Sequence, residues 1–96
     1  MKIITAQELK QWMDEQKPFI LVDVREDFER EVFHIGGIHI PMSDLLERKD
    51  EISKNLDVVL YCEKGIRSSI VIQRLEGMGY THLYNLTGGM KAWKEA

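Results

Sequence analysis

Two stretches of the chain are apolar without alternating: residues 19–24, FILVDV, and residues 58–62, VVLYC, both rich in branched side chains. A strand with one wet face alternates apolar and polar positions, so these runs predict strands buried on both faces, as in a parallel sheet covered by helices on each side. Two shorter segments, 37–41 (GIHIP) and 82–86 (HLYNL), predict strands nearer an edge, the first closed by Pro41.

The intervening segments follow a helical period. Thr5 and Glu8 stand in the relation of a capping box, and Ile4 and Leu9 occupy the two positions of a hydrophobic staple. A helix therefore starts at about Ala6, and Lys17 with Pro18 ends it. Leu9, Trp12 and Met13 share one face of that helix, which places Trp12 in the core. Residues 26–33 (EDFEREVF) and 43–52 (SDLLERKDEI) carry helical signals, the second with Ser43 as its N-cap. A helix beginning near Arg67 shows Ile70, Val71, Leu75 and Met78 along a stripe, with Gly77 and Gly79 as stop signals. Gly88 and Gly89 make a turn before a short last helix, in which Met90 and Trp93 are core contacts. Strands alternating with helices at this rhythm imply an α/β layer structure with right-handed crossovers, in which ligands bind beyond the carboxyl ends of the strands.

Composition narrows the function. A chain of 96 residues fits one domain, spanning 1–96, and its 44% hydrophobic and 30% charged residues describe an ordinary soluble globule. A formal charge of -3 offers no general attraction to polyanions, which argues against nucleic acid and anionic membrane as partners. No run approaches the roughly 20 apolar residues of a membrane helix. The N-terminal MKIITAQELKQW lacks the apolar core of roughly 7 to 15 residues of a signal peptide, so a cytoplasmic protein is expected. With no long exposed apolar stripe, the domain is expected to be a monomer.

The chain has one cysteine, Cys62, and no Cys/His spacing of a zinc site; no metal or other cofactor is called for. A cysteine is more often inert core filler than catalyst, but the surroundings of this one favour chemistry. It ends a strand, Gly65 lets the following backbone turn inward, and a helix begins just beyond, so successive N–H groups can converge on one point as an anion-binding nest. Lys64 and Arg67 add charge if they face the rim, whereas Glu63 is expected to face solvent. Such a loop should favour thiolate over thiol, and should equally hold a second negative sulfur attached to the first, with no separate general base.

The stretch YCEKGIRS, residues 61–68, resembles the active-site loop C-x-x-G-x-R-S of the rhodanese family of single-domain sulfurtransferases. LVDVREDFE before it, HIGGIHIP in the middle and LTGGMKAW at the end match further blocks of that family, in the family's order, over nearly the whole chain. The resemblance implies a rhodanese-like five-stranded parallel sheet with helices on both faces. It also implies a cysteine that accepts sulfane sulfur from thiosulfate or a similar donor and passes it to a thiol or to cyanide. Carried over by position, Cys62 is the catalytic sulfur carrier. Glu63, Lys64, Gly65, Ile66, Arg67 and Ser68 form the substrate cradle, with Lys64 and Arg67 attracting a small anionic donor. The acceptor would be a small thiol or a thioredoxin-like protein. Asp23, Arg25 and Glu26 match a block better read as a structural ion pair than as a substrate contact. His34 is likewise structural, and His39 is a satisfied, partly buried residue.

Two other readings remain. Related folds carry phosphatases and arsenate reductases with five residues between Cys and Arg; here four separate Cys62 from Arg67. Since each residue adds at most about 3.3 to 3.6 Å of chain, this tighter ring suits a single added sulfur better than a tetrahedral oxyanion. Tyr61 also stands where such phosphatases place histidine. The other alternative is a non-catalytic rhodanese-like module that binds a protein partner, against which Cys62, Gly65 and Arg67 are all retained.

Overall fold

The computed structural model describes residues 1–96. The chain forms β1 (Lys2–Ile4), α1 (Ala6–Asp14), β2 (Phe19–Asp23), α2 (Asp27–Val32), β3 (Ile38–His39), α3 (Leu45–Arg48), β4 (Asp57–Tyr61), α4 (Ile66–Glu76), β5 (Leu83–Leu86) and α5 (Gly89–Glu95). Short 3-10 turns flank α3. The five strands make one sheet, all parallel, in the order β1-β5-β4-β2-β3.

The two long apolar runs are β2 and β4, and both are covered on each face, as their lack of alternation requires. Val22, Val58, Leu60 and Cys62 face a core that includes Val71, Ile72 and Leu75 of α4. Leu21, Val59 and Tyr61 point the other way, onto Leu9 of α1 and Met90 of α5. Each fully buried aliphatic side chain contributes about 1.5 to 3 kcal/mol relative to exposure. The period of two along β4 thus assigns Cys62 to the α4 side of the sheet.

The capping box of α1 is present: Glu8 N–H donates to Thr5 Oγ1 and Thr5 N–H donates to Glu8 Oε1. Several local features differ from expectation. The strand β1 has no pattern that predicts it, because it is three residues long and buries only Ile4. With β1 at the rim, 82–86 lies one strand in from that edge, and 37–41 lies at the opposite edge. Ser43 caps nothing; it sits within a 3-10 turn, Met42–Asp44, that precedes α3. On α4 the buried stripe is Ser68, Val71, Ile72 and Leu75, with Ile70 and Met78 exposed. Trp12 is half-buried at the core's margin, edge-on to Phe19 and Tyr84 with the Lys17 ammonium over its face. No helix is long and apolar enough to cross a membrane.

At the carboxyl end of β2 the DVRE block forms a buried ion pair. Arg25 Nε and Nη2 donate to Asp23 Oδ1 and Oδ2 at 3.0 and 3.1 Å, the Arg25 backbone N–H donates to Oδ1 at 2.9 Å, and Nη2 also reaches the Phe33 carbonyl at 2.6 Å. Burial works to raise the Asp23 carboxyl, but the Arg25 hydrogen bonds and charge outweigh it and hold the group below its ordinary range. The pair ties β2 to the segment after α2. Replacing Arg25 by Met should leave the buried Asp23 with only the longer side-chain contact from Arg30 Nη1, at 3.3 Å to Oδ2, and cost up to roughly 3 to 5 kcal/mol, read as a lower urea midpoint with an unchanged slope.

Candidate active site

Beyond β4 the chain leaves the sheet at Cys62 and turns at once into α4. Gly65 makes this turn: it is the N-cap of α4 at φ +93°, a left-handed conformation that a side chain would strain. The turn folds the backbone over the sulfur. Gly65 N–H donates to Cys62 Sγ at 3.1 Å, Ser68 N–H points at it at 3.4 Å, and Ser68 Oγ lies 3.3 Å away. Lys64, Ile66 and Arg67 have backbone N–H groups with no acceptor inside the chain, as befits the open first turn of a helix.

Asn85, on the neighbouring strand β5, holds this turn shut. Its Nδ2 donates to the Gly65 carbonyl at 3.0 Å, which turns Oδ1 toward Ser68, and Ser68 Oγ donates to it at 2.6 Å. Because a hydroxyl has one proton and Asn85 receives it, Ser68 presents a lone pair to the sulfur. A second tie comes from the start of α5, where Met90 N–H donates to the Cys62 carbonyl at 2.9 Å and Lys91 N–H to the Glu63 carbonyl at 3.0 Å. This close approach requires Gly89: at φ +58°, a Cβ there would strike the Cys62 carbonyl oxygen and the Glu63 backbone. The Gly88–Gly89 turn thus borders the cysteine loop as well as starting α5.

Cys62 is only 1% exposed, yet it lines a cavity of about 410 Å³ together with Glu29, Glu63, Lys64, Ile66 and Arg67. Cys62 thus belongs to the buried core on one side and borders an open hollow on the other. Around it the charges are arranged otherwise than the spacing suggested. Glu63 does not face solvent; it is half-buried, its Oε2 is closed off from solvent without a hydrogen-bond partner, and Arg25 feels its charge. Arg67 is not a free cation at the rim: Nη1 and Nη2 donate to Glu29 Oε1 and Oε2 at 2.6 and 2.7 Å. Lys64 is exposed and forms no ion pair. Ile66 is 66% exposed at the mouth.

Glu29 and Asn85 are the two participants that sequence reasoning missed. Asn85 left a trace, a polar residue inside the apolar run LYNL, whereas Glu29 lies 38 positions from its partner in an acidic, solvated-looking helix. His34 and His39 stay outside the site. His34 Nδ1 accepts from Gly36 N–H at 2.9 Å, and His39 Nε2 pairs with the Arg25 carbonyl at 2.7 Å, so His39 is satisfied in place as expected.

The chain matches known proteins in sequence and fold over nearly its whole length. The rhodanese-like domain family matches residues 5–96. The chain belongs to the rhodanese-like domain family. This rhodanese-like chain is 42% identical over 94 residues to the uncharacterized protein YqhL of Bacillus subtilis, covering 97% of this chain and 72% of that one. It is 33% identical over 88 residues to the thiosulfate sulfurtransferase GlpE of Coxiella burnetii, covering 90% and 82% of the two. The crystal structure of a rhodanese-like domain protein from Staphylococcus aureus superposes with a TM-score of 0.90 at 38% identity, covering 97% of this chain and 91% of that one.

The Arg67 hydrogen bonds pull the Glu29 carboxyl from its ordinary 4.5 to about 2, against a smaller opposing effect of burial. A depressed carboxyl stabilises the folded state fully above its unfolded value and loses that contribution as pH falls toward its folded one. Glu29→Gln should therefore be less stable than the wild type at pH 7, and the gap should close between about pH 4.5 and 2. Urea denaturation across that range checks the window; a gap independent of pH would contradict it.

Proposed function

We propose that this chain is a sulfurtransferase that carries sulfane sulfur as a persulfide on Cys62. The observation that supports it is the convergence of the Gly65 and Ser68 N–H groups on the sulfur of a residue that also lines a cavity. Fixed backbone dipoles aimed at one atom favour negative charge there without reorganisation, which serves a thiolate before transfer and the carried sulfur after it.

The reaction has two halves. Cys62 thiolate attacks the outer sulfur of thiosulfate; the donor's S–S bond breaks, sulfite leaves with the electron pair, and the outer sulfur stays on Cys62 as a persulfide anion. An acceptor thiolate, or cyanide in an assay, then attacks that outer sulfur, and the Cys62 thiolate departs. Atoms and charge balance in each half, so the cycle is ping-pong and needs no cofactor. The acceptor is a thiol, either a small one or one carried by a thioredoxin-like protein, and thiols of both kinds remain reduced in the cytoplasm. The phosphatase reading loses its main device, because Arg67 is committed to Glu29 instead of being turned in to hold an oxyanion. Exposed Phe28, Val32 and Ile66 near the mouth favour a second reading, a module that docks a protein partner without transferring sulfur.

Intact-mass measurement after incubation with thiosulfate separates the two. The wild type should gain one sulfur and Cys62→Ala none; no gain in the wild type from thiosulfate or from an alkyl persulfide, and no thiocyanate formed with cyanide, would leave the docking module as the better reading. Lys64→Ala should raise the thiosulfate KM by roughly fivefold while changing kcat less, because an exposed cation acts on encounter and binding of an anion rather than on the bond exchange.

A further inference from the structure

We propose that Glu29 sets the donor specificity of this site: by occupying the Arg67 guanidinium it leaves Lys64 as the one free cation, and so favours an alkyl persulfide over dianionic thiosulfate. This rests on the sulfurtransferase reading above and names the substrate class of the same site.

The cavity that holds Cys62 is lined by two cations, Lys64 and Arg67, and by two carboxylates, Glu29 and Glu63. Their formal charges cancel. Both Glu29 oxygens accept from Arg67 at 2.6 and 2.7 Å, a two-pronged charge-assisted pair that leaves the guanidinium little field to offer a third group. Glu63 adds a carboxylate whose Oε2 is enclosed and accepts no hydrogen bond. Thiosulfate entering this hollow brings two negative charges to a place with no net positive charge. An alkyl persulfide, R–S–SH, brings at most one, and its organic part meets the exposed side chain of Ile66 at the rim. The exchange balances without a co-reactant: Cys62 thiolate attacks the terminal sulfur, a new S–S bond forms as the donor's S–S bond breaks, and R–S⁻ leaves with the electron pair, later taking a proton from solvent.

Glu29→Gln tests the assignment; it loses some stability at pH 7 but keeps the local cap of α2. Glutamine keeps the side-chain oxygen that caps the Glu26 N–H at 3.1 Å, a role glutamine fills as well as glutamate. The quantity to measure is the ratio of kcat/KM for thiosulfate to kcat/KM for benzyl persulfide, by single-turnover sulfur uptake on Cys62. Glu29→Gln should raise that ratio by about tenfold, as one released charge at binding distance allows, and the rise should weaken in high salt. The double variant Glu29→Gln/Arg67→Ala should return the ratio to the wild-type value, because the gain belongs to the freed guanidinium. A ratio unmoved by Glu29→Gln, or raised equally in the double variant, would overturn the proposal and leave the pair as a strut between α2 and α4. Wild-type protein that takes sulfur from neither donor would instead overturn the sulfurtransferase reading itself.

Discussion

The site depends on one buried side chain, Asn85. The parallel register pairs Asn85 with Leu60, two residues before Cys62, and the period of two turns it to the same side of the sheet as Leu83 and the α4 core. A carboxamide in that position must find both a donor and an acceptor, since an unsatisfied buried polar group costs about 1 to 3 kcal/mol. Gly65 and Ser68 supply them, one on each side of the turn. The requirement runs in both directions: the turn satisfies the amide, and the amide fixes the spacing of the two N–H groups that point at the sulfur.

That spacing is reinforced from two other elements. The first amides of α5 draw the Cys62 and Glu63 carbonyls outward, so the turn's N–H groups are left to point inward. The Glu29–Arg67 pair joins α2 to the first turn of α4. Three ties from β5, α5 and α2 thus hold a loop of four residues, and the donors stand in place before any charge develops on sulfur. Preorganisation of this kind is what makes backbone dipoles effective, because nothing has to turn as the bond exchanges.

How much of this was legible in the sequence follows from the range of each interaction. Contacts within one turn were readable: the Thr5–Glu8 capping box, the glycine at 65, the strands at 19–24 and 58–62. Features set by partners distant in sequence were not. The strand β1 exists because β5 offers an open edge, and its three residues carry no periodicity of their own. The face of α4 that is buried depends on where the loop delivers the helix, one residue away from the stripe that period alone suggested. Ser43 looked like a cap, but Pro41 leads into a 3-10 turn before any α-helix can start. Cys62 was readable because strand end, glycine and helix start are adjacent; the partner that takes up Arg67 was not, because an acid in a polar helix carries no mark of what it faces.

The backbone and the side chains of this site do separate electrostatic work. Two N–H groups within hydrogen-bond range of Cys62 Sγ act over a short distance, are directed at one atom and are barely screened. Charged side chains at the rim act over longer distances, and salt screens them beyond roughly 8 to 10 Å. Stabilising a negative sulfur and attracting a negative donor are therefore independent functions, and a loop can keep the first while the second is turned down by a neighbouring acid. In the proposal above, Glu29 does this from outside the loop. On the proposed reading, the loop C-E-K-G-I-R describes the nucleophile well and the donor poorly, because the charge that a donor would meet is decided on α2.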